Sequence, residues 1–199
     1  MSEADLPLVL KLNNQFVDEV GEITSSKLKW LFKHSHQAIV ALDGKKICAF
    51  VLTFPEKSQY NSKNYLLFST MTDYVYLDRI VVDSSYQGQG IGRQLYKQVM
   101  DTCGASRLCL EVNVVPKNEP SLKFHQKMGF KKHTRVEHAP DYVVQTMYKQ
   151  LKPYKAPKIE MRDMTEADLP TVLKMNNAFK AEMSTQTLKS LTAMYKYSA

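Results

Sequence analysis

The sequence lacks several features that mark membrane, secreted or disulfide-bonded proteins. It has no run of about 18 apolar residues, so no transmembrane helix is predicted. Its first residues, MSEADLP, are acidic at once and lack the basic start of a signal peptide, so none is expected. Its three cysteines, Cys48, Cys103 and Cys109, are odd in number and have no metal-ligand spacing. We therefore expect a cytoplasmic protein with reduced cysteines, no membrane partner and no metal site.

The composition favours a globular fold with a sizeable core. Of the 199 residues, 44% are hydrophobic and 24% are charged, which is close to the globular average. The net charge of +7 is spread along the chain, with 19 basic and 15 acidic residues in 1–150 and 8 and 5 in 151–199. One stretch concentrates positive charge against Glu119 alone and could attract a polyanion: Lys117, Lys123, Lys127, Lys131, Lys132 and Arg135. It lacks the aromatic or arginine-rich pattern of nucleic-acid binders, so no nucleic-acid partner is expected.

A segment near the start of the chain recurs near its end. Residues 1–35 and 164–198 align without a gap at an offset of 163, and 17 of the 35 positions are identical. The clearest match is EADLP at Glu3 and again at Glu166. We therefore predict one unit at 1–150, a proline-containing linker at 151–157, and a partial second copy at 158–199.

Hydrophobic spacing predicts the order of secondary structure. A first helix starts after Ser2, with Asp5 close to a capping box, and Ser25 or Ser26 caps a second helix. The further predicted elements are strands 37–42 and 46–54 joined by a turn at Asp43-Gly44, strand 74–82, helix 91–100, strand 107–113, helix 120–129, strands 130–135 and 142–147, and then strand 158–163 with the repeated helical pair. Strands with intervening helices indicate an α/β domain with a mixed sheet.

The sharpest local pattern is QGQGIGR at 87–93, where a hydrophobic strand runs into three glycines and then into a helix. Glycines allow close backbone approach, and the free N–H groups of a helix start favour a phosphate or pyrophosphate. The Walker pattern is excluded because Gly-Lys-Ser/Thr is absent, and the dinucleotide fingerprint because the spacing is G-x-G-x-G. A glycine-rich turn without a ligand is the alternative interpretation.

This loop resembles motif A of the GNAT superfamily of N-acetyltransferases. Motif B of the same superfamily is similar to the segment Asn118-x-x-Ser121-x-x-Phe124-His125-x-Lys127-x-Gly129-Phe130. Within the superfamily, the LNN and EVN segments are similar to a subgroup of predicted acetyltransferases without an assigned substrate. The resemblance covers about three-quarters of the chain. It implies the acyl-CoA N-acyltransferase fold, a mixed sheet flanked by helices in which the family's fourth and fifth strands splay apart.

The resemblance implies acetyl-CoA (coenzyme A) as the cofactor. Backbone amides of Gln87 to Gly92 would hold its pyrophosphate, and Ile80 to Val82 would hydrogen-bond its pantetheine arm. The basic stretch could then lie near the nucleotide's phosphates. The cofactor-binding residues implied in this way are Ile80, Val81, Val82, Gln87, Gly88, Gln89, Gly90, Ile91, Gly92, Arg93, Asn118, Ser121 and Phe124.

Acetyl transfer to an amine needs a base for the amine and an acid for the departing thiolate. Glu111 is the leading candidate base, because a carboxylate within an apolar strand is costly unless it is paired or used. Its Leu-Glu-Val context also resembles that of the ribosomal-protein N-terminal alanine acetyltransferases, whose glutamate serves as base. A pair with Arg79 or Arg107 is the structural alternative. Asp78 is the second candidate, with an ion pair to the adjacent Arg79 as its alternative.

The family usually places its acid at a tyrosine of motif B, and this sequence has His125 there. A histidine can donate a proton near neutral pH. A structural histidine is the alternative, in which case Tyr74 or Tyr76 could supply the proton. The departure also motivates a second class of function, a non-catalytic acyl-CoA-binding or regulatory module.

The acceptor is expected to be a primary amine of a small molecule, an amino acid or a peptide end. The polar residues in the regions that usually hold the acceptor are Asn13, Asn14, Glu19, Tyr60, Ser62, Asn64, Tyr65 and Tyr74. Copy one begins where its first helix begins, whereas copy two carries a strand at 158–163 before its helix. Insertion of that strand into a neighbouring molecule, giving a homo-oligomer, is one hypothesis, and a truncated second domain is the alternative.

Overall fold

A computed structural model describes residues 1–151, 162–178 and 184–198. Contacts divide the chain into two compact units, Met1–Tyr154 and Lys155–Ala199. The helices of the first unit are α1 (Leu6–Asn13), α2 (Val17–Val20), α3 (Ser25–His34), α4 (Lys63–Leu66), α5 (Ile91–Thr102) and α6 (Glu119–Lys127). Its strands are β1 (Gln37–Asp43), β2 (Lys46–Pro55), β3 (Tyr74–Val82), β4 (Arg107–Val115), β5 (Lys131–Ala139) and β6 (Tyr142–Gln150). The mixed α/β architecture is as predicted.

The six strands form one sheet in the order β1-β2-β3-β4-β6-β5. Neighbouring strands are antiparallel except β3 and β4, which are parallel. Strand β2 is apolar along nearly its whole length because both of its faces are covered. One face packs on α1, α3 and α4 around Val9 and Leu31, and the other packs on α5 around Leu95 and Val99.

The pairing of β3 with β4 stops early and opens the sheet. Tyr74, Val75 and Tyr76 pair with Arg107, Leu108 and Cys109, and no later residues of the two strands are in register. Each strand nevertheless continues for six residues, to Val82 and Val115. The splayed strands predicted from the family resemblance are therefore present, and the opening between them contains the polar side chains described below.

Three local predictions need correction. Helix α3 is capped by Thr24, whose hydroxyl accepts from the N–H of Lys27 at 3.2 Å, and not by Ser25 or Ser26. Helix α4, capped by Ser62, lies between predicted strands 46–54 and 74–82, where no helix was predicted from the sequence. The strand expected at 130–135 begins one residue later and extends to Ala139.

The second unit contains α7 (Leu169–Ala178) and α8 (Leu188–Ser198). Both copies of the repeat start with a capping box, Ser2 with Asp5 and Thr165 with Asp168. The strand predicted at 158–163 falls mainly on residues outside those that the structure describes. The predicted domain limits at 150 and 158 stay predictions. In the described parts of the chain, no helix is long and apolar enough to cross a membrane.

Candidate active site

The glycine loop lies between the end of β3 and the start of α5. Gly88 and Gly90 have φ angles of 77° and 84°, a left-handed conformation that side chains with a Cβ rarely adopt. The first amide to bond within α5 is that of Gln94, to the carbonyl of Gly90 at 3.0 Å. The N–H groups of Ile91 and Gly92 are therefore at the free end of the helix, where the dipole favours an anion.

Two glutamine side chains stabilise the conformation of the glycine loop through hydrogen bonds to its backbone. The side-chain amide of Gln87 donates to the carbonyl of Val82 at 3.1 Å, and that of Gln89 donates to the carbonyl of Ser85 at 3.0 Å. Both glutamines are thus engaged with the loop's own backbone. The open backbone amides, and not these side chains, are therefore the loop groups left available for an anion.

A cavity of about 780 Å³ adjoins the loop, within the range typical of small-molecule and cofactor sites. Of the expected cofactor-binding residues it is lined by Ile80, Val82, Gln87, Gly88, Gln89, Gly90, Ile91, Gly92, Arg93, Ser121 and Phe124. Val81 points to the opposite face and is buried in the core around α1 and α3. Asn118 caps α6, accepting from the N–H of Ser121 at 3.1 Å, and lines a neighbouring cavity instead.

A second, smaller cavity of about 120 Å³ lies between the splayed strands. Ile80, Ser121 and His125 line both cavities, so the two spaces adjoin. Among the polar residues of β3 and β4, the second cavity is lined by Asp78, Arg79, Glu111 and Asn113. The cleft thus runs from the N-terminal end of α5 to a group of carboxylates. A long ligand could place an anionic group at the helix end and its reactive group beside the carboxylates.

Glu111 is held by two neutral donors inside the fold. Tyr76 donates to its Oε2 from β3 at 2.8 Å, and Asn64 donates to its Oε1 from α4 at 2.9 Å. Burial, opposed in part by the Tyr76 hydrogen bond and reinforced by the charge of Asp78, raises the pKa of Glu111 to about 7. Within residues 1–151 Glu111 makes no ion pair, so the expected alternative of a pair with Arg79 or Arg107 is not observed.

Asp78 is part of a buried ion pair. Its Oδ2 accepts from the Nε of Arg79 at 2.6 Å, and its Oδ1 accepts from the hydroxyl of Tyr60. Arg79 also donates from its Nη1 to the side-chain oxygen of Asn13 at 2.9 Å. These contacts join α1, β3 and the segment before α4 beside the cleft, and Asp78, unlike Glu111, has a cation as one of its two partners.

His125 is buried and bonded through both ring nitrogens. Its Nδ1 lies 2.7 Å from the carbonyl of Ser121, which can only accept, so Nδ1 carries the proton. Burial lowers the pKa of His125 from 6.5 to about 4, although the bond to Ser121 opposes the shift. The ring is therefore neutral near pH 7, and its Nε2 accepts from the hydroxyl of Tyr96 at 2.6 Å. In this state Nε2 holds no proton to donate.

The remaining acceptor candidates are divided between the cleft and the fold. Glu19 lines the second cavity, while Asn14 bonds the backbone of Ile23 and Ser62 caps α4. Tyr65 donates to the carbonyl of Pro55 at 2.9 Å. Tyr74 lies at the paired start of β3, packed among aromatic rings and away from the opening.

Sequence reasoning missed Tyr96, His138 and Tyr142. Tyr96 sits on the buried face of α5, where a hydroxyl needs a partner, and the unusual histidine at position 125 is that partner. The rings of His138 and Tyr142 stack at 5.2 Å across the β5–β6 turn, and both residues bond the Asn64 side chain. The sequence signal that could have found them is the pair of polar aromatic residues, His138 and Tyr142, on the two sides of the β5–β6 turn.

Residues 9–130 match the model of the acetyltransferase (GNAT) family, a range that includes the glycine loop, Glu111 and His125. The chain belongs to the GNAT acetyltransferase family. It is accordingly an acyltransferase, and acetyl-CoA is the cofactor of the family. The loop with open amides and the adjoining cavity fit that cofactor, whose pyrophosphate suits the free end of α5.

The comparisons extend this assignment. Over 62 residues the chain is 40% identical to the glucosamine 6-phosphate N-acetyltransferase of Trypanosoma brucei brucei, a match spanning 30% of this chain and 40% of that protein. The ribosomal-protein-S18-alanine N-acetyltransferase of Escherichia coli has a similar fold, with a TM-score of 0.58 and 18% identity over 81% of this chain and 96% of that one. YncA of Salmonella typhimurium, solved with its cofactor acetyl-CoA, also has a similar fold, with a TM-score of 0.58 and 17% identity over 80% of this chain and 96% of that one.

Proposed function

We propose that this GNAT protein transfers an acetyl group from acetyl-CoA to a primary amine of a small molecule, an amino acid or a peptide end, with Glu111 as the general base. The observation that carries the proposal is the position of Glu111. A carboxylate with a pKa of about 7 faces the inner part of a cleft whose outer part is a phosphate-binding loop.

The loop and α6 hold the cofactor in this proposal. The amides of Ile91, Gly92 and their neighbours bind its pyrophosphate, and Ile80 and Phe124 line the path of its arm. Bound acetyl-CoA supplies the thioester carbonyl that the amine attacks. The splayed backbone of β3 after Tyr76 has no strand partner on the β4 side, so its polar groups can bond the arm.

Glu111 removes the proton that prevents the amine from attacking. A primary ammonium is unreactive until it is deprotonated, and a base whose pKa lies near the working pH does this most efficiently. The donors Tyr76 and Asn64 hold the carboxylate in place without neutralising its charge. Asp78 is less suited, because the guanidinium of Arg79 balances its charge, whereas both donors to Glu111 are neutral.

His125 is not the acid in this proposal, although it occupies the motif B position. Its only ring proton is committed to the carbonyl of Ser121, and a pKa of about 4 keeps the ring neutral at working pH. We assign His125 and Tyr96 the role of a buried hydrogen-bonded pair that joins α6 to α5. The thiolate then takes its proton from water or from the reacting nitrogen.

The charges around the second cavity favour a cationic or neutral acceptor. Glu19, Asp78 and Glu111 line it, with Arg79 as the single cationic side chain among its described lining residues. Asp78 already pairs with Arg79. A phosphorylated amino sugar, the acceptor named for the trypanosome relative, would meet net negative charge at this point.

A thiol-release assay tests the proposed function. The acceptors would be glucosamine, glucosamine 6-phosphate, a linear diamine and a peptide with an N-terminal alanine, each with acetyl-CoA. We expect acetylation of at least one uncharged or cationic acceptor, and weaker activity on glucosamine 6-phosphate than on glucosamine. Tight acetyl-CoA binding without thiol release for any amine would contradict the proposal.

A non-catalytic acyl-CoA-binding module is the second candidate function. The observation that favours it is the absence of a transferable proton on Nε2 of His125 at the position where the family usually places its acid. Turnover separates the two candidates, because both predict that acetyl-CoA affinity survives Glu111→Gln, whereas only a binding module binds acetyl-CoA in the wild-type form without releasing thiol.

The partial repeat and the oligomeric state also remain proposals. We propose that residues 1–150 contain all the catalytic chemistry, because neither family motif recurs in 158–199. An exchange of strand 158–163 between copies would use β1, which pairs only with β2 among the described residues and whose Ala38 carbonyl accepts from the Met1 ammonium at 3.2 Å. Light scattering of the full chain with Ile159→Pro tests this exchange, since proline breaks strand pairing. An unchanged mass would refute it.

We further propose a cytoplasmic location. Cys48, Cys103 and Cys109 are free and buried, as expected of a protein from a reducing compartment. Cell fractionation with an antibody against the chain would test this, and recovery from a secreted or membrane fraction would contradict it.

A further inference from the structure

A single buried amide joins three separate elements beside Glu111. Asn64, in α4, donates from its Nδ2 to Oε1 of Glu111 at 2.9 Å and to the hydroxyl of Tyr142 at 2.8 Å. Its Oδ1 lies 2.7 Å from Nε2 of His138. The side chain thereby connects α4 to β4, β5 and β6 at once.

The orientation of this amide is fixed by its partners. Because an amide oxygen only accepts, Nε2 of His138 carries a proton and donates it. Both hydrogens of the Asn64 Nδ2 are then used, one by Glu111 and one by Tyr142. A flipped amide would place its oxygen against the carboxylate oxygen of Glu111, and Asn64, at 8% exposure, has little access to water in compensation.

A layer of rings supports the amide from the hairpin side. The rings of His138 and Tyr142 stack at 5.2 Å, and the ammonium of Lys63 lies 4.3 Å from the centre of the Tyr142 ring. The cation–π contact ties Lys63, the first residue of α4, to the same hairpin that holds Asn64. The position of Asn64 is therefore set by groups outside its own helix.

We propose that Asn64 is the positioning residue of Glu111, oriented by His138 and Tyr142, and that it keeps the carboxylate ionised and aimed into the cleft. This inference rests on the proposed role of Glu111 as general base. Asn64 touches neither cofactor nor acceptor in this assignment and acts only through Glu111.

The groups facing Glu111 explain why the amide matters. Tyr76 and Asp78 approach Glu111 from β3, and Tyr96, on α5, lies close enough for the charge of Glu111 to raise its pKa. Asp78 and burial both favour the protonated form, whereas the N–H groups of Asn64 and the hydroxyl of Tyr76 favour the ionised form. Removing either donor therefore raises the pKa of Glu111.

The test compares pH profiles of kcat/KM for wild type, Asn64→Ala and Asn64→Asp. Alanine removes a donor, so we expect the acidic limb to move upward and kcat at pH 7 to fall by about 10-fold or more. Aspartate keeps the shape but places an acidic group beside Glu111, so its limb should move further still. Acetyl-CoA affinity should stay at the wild-type value. Asn61→Ala, an exposed asparagine three residues away, is the matched control and should follow wild type.

His138→Ala provides a second measurement if Asn64 variants do not fold. It frees the Asn64 oxygen and should move the acidic limb upward by a smaller amount. Variants that lose activity with an unmoved acidic limb, or that keep wild-type kcat and profile, would overturn the inference. If the limb survives in Glu111→Gln, the proposed base itself is wrong. If Glu111→Gln loses the limb while the Asn64 variants follow wild type, only the role of Asn64 is wrong.

Discussion

The hydroxyl of Tyr76 donates to Oε2 of Glu111 across 2.8 Å, at the point where β3 and β4 separate. Tyr76 is the last residue of β3 to pair with β4, and Glu111 lies two residues beyond its partner Cys109. The opening of the sheet thus exposes the carboxylate to the cleft while the last paired residue still holds it. Strand separation and the placement of the candidate base have the same structural origin.

Tyr76→Phe should raise the apparent pKa of catalysis. The phenol stabilises the ionised carboxylate, so its removal raises the pKa of Glu111 above its value of about 7. A hydrogen bond to a charged group is worth roughly 1.5–3 kcal/mol, which predicts an upward shift of about one pH unit or more in kcat/KM. Steady-state rates across pH 5–9, a range of about four units, measure it.

Tyr74→Phe is the matched control for this shift. Tyr74 lies on the same strand and is equally buried, but it packs on Tyr65 and Phe68 and does not contact Glu111. It should leave the acidic limb in place. Equal shifts in both variants would show that the strand, and not the hydrogen bond, determines the pKa.

Gly90→Ala should weaken acetyl-CoA binding. Gly90 has a φ of 84° at the start of α5, and alanine there either strains the loop or changes its path, at a cost of about 1 kcal/mol or more. Because we propose that the loop amides bind the pyrophosphate of acetyl-CoA, we expect at least a several-fold loss of affinity by calorimetry. Gly104→Ala, at φ 70° away from the cleft, carries the same backbone strain and should reduce stability without changing affinity.

His125 should make the fold sensitive to mild acid. Its pKa is about 4 when folded and near 6.5 when unfolded, so the unfolded chain binds more protons between these values. Stability contributed by the neutral ring is complete above pH 6.5 and is lost as the pH falls towards 4, by about 3 kcal/mol in total. Urea unfolding of wild type and His125→Phe at several pH values measures the difference.

The slope with pH is the quantity to compare, since His125→Phe also removes the bond to Tyr96 and lowers stability at every pH. The variant should lose less stability than wild type between pH 6.5 and 4. His133→Phe, which replaces an exposed histidine of β5, should retain the wild-type slope. A wild-type slope in His125→Phe would show that His125 has the same pKa in the folded and the unfolded chain, and would contradict this prediction.

The elements that could be predicted from the sequence are those set by local patterns. The position of the loop around Gly90 could be predicted from the spacing of its glycines. The alternation of side chains along β4 likewise predicts that Glu111 lies on the other face of the sheet from Leu110, which packs in the core against α5. The predicted N-cap of α3 was wrong because threonine and serine are both good caps, so the sequence alone does not choose among Thr24, Ser25 and Ser26. The backbone conformation where the chain enters the helix selects Thr24.

The parts of the site that could not be predicted depend on partners far apart in sequence. Tyr96 and His125 are 29 residues apart, and Asn64 and His138 are 74 apart. No local rule determines which buried hydroxyl meets a histidine. The protonation state of His125 likewise depends on burial by Phe124, Phe130 and Tyr96, which only the assembled fold provides.

The repeat illustrates the opposite case, in which local sequence determines geometry. Asn13 donates to the side chain of Asn14 and to the carbonyl of Gly21, and Asn176 donates in the same way to Asn177 and to Ser184. The two pairs are 163 positions apart and belong to different compact units. In the first unit both of these bonds use the Nδ2 of Asn13, so its Oδ1 is available to accept from Arg79.

The measurement that tests the central claim most directly is the pH profile of kcat/KM for wild type and Glu111→Gln. With Glu111 as base, the wild-type rate rises through pH of about 7 and then levels off. The variant should lose that limb and about 10²–10⁴-fold in rate, while acetyl-CoA affinity and stability of the fold are retained. Glu137→Gln, an exposed glutamate of β5, should behave as wild type. A Glu111→Gln variant with the wild-type rate and the same limb near pH 7 would contradict the account.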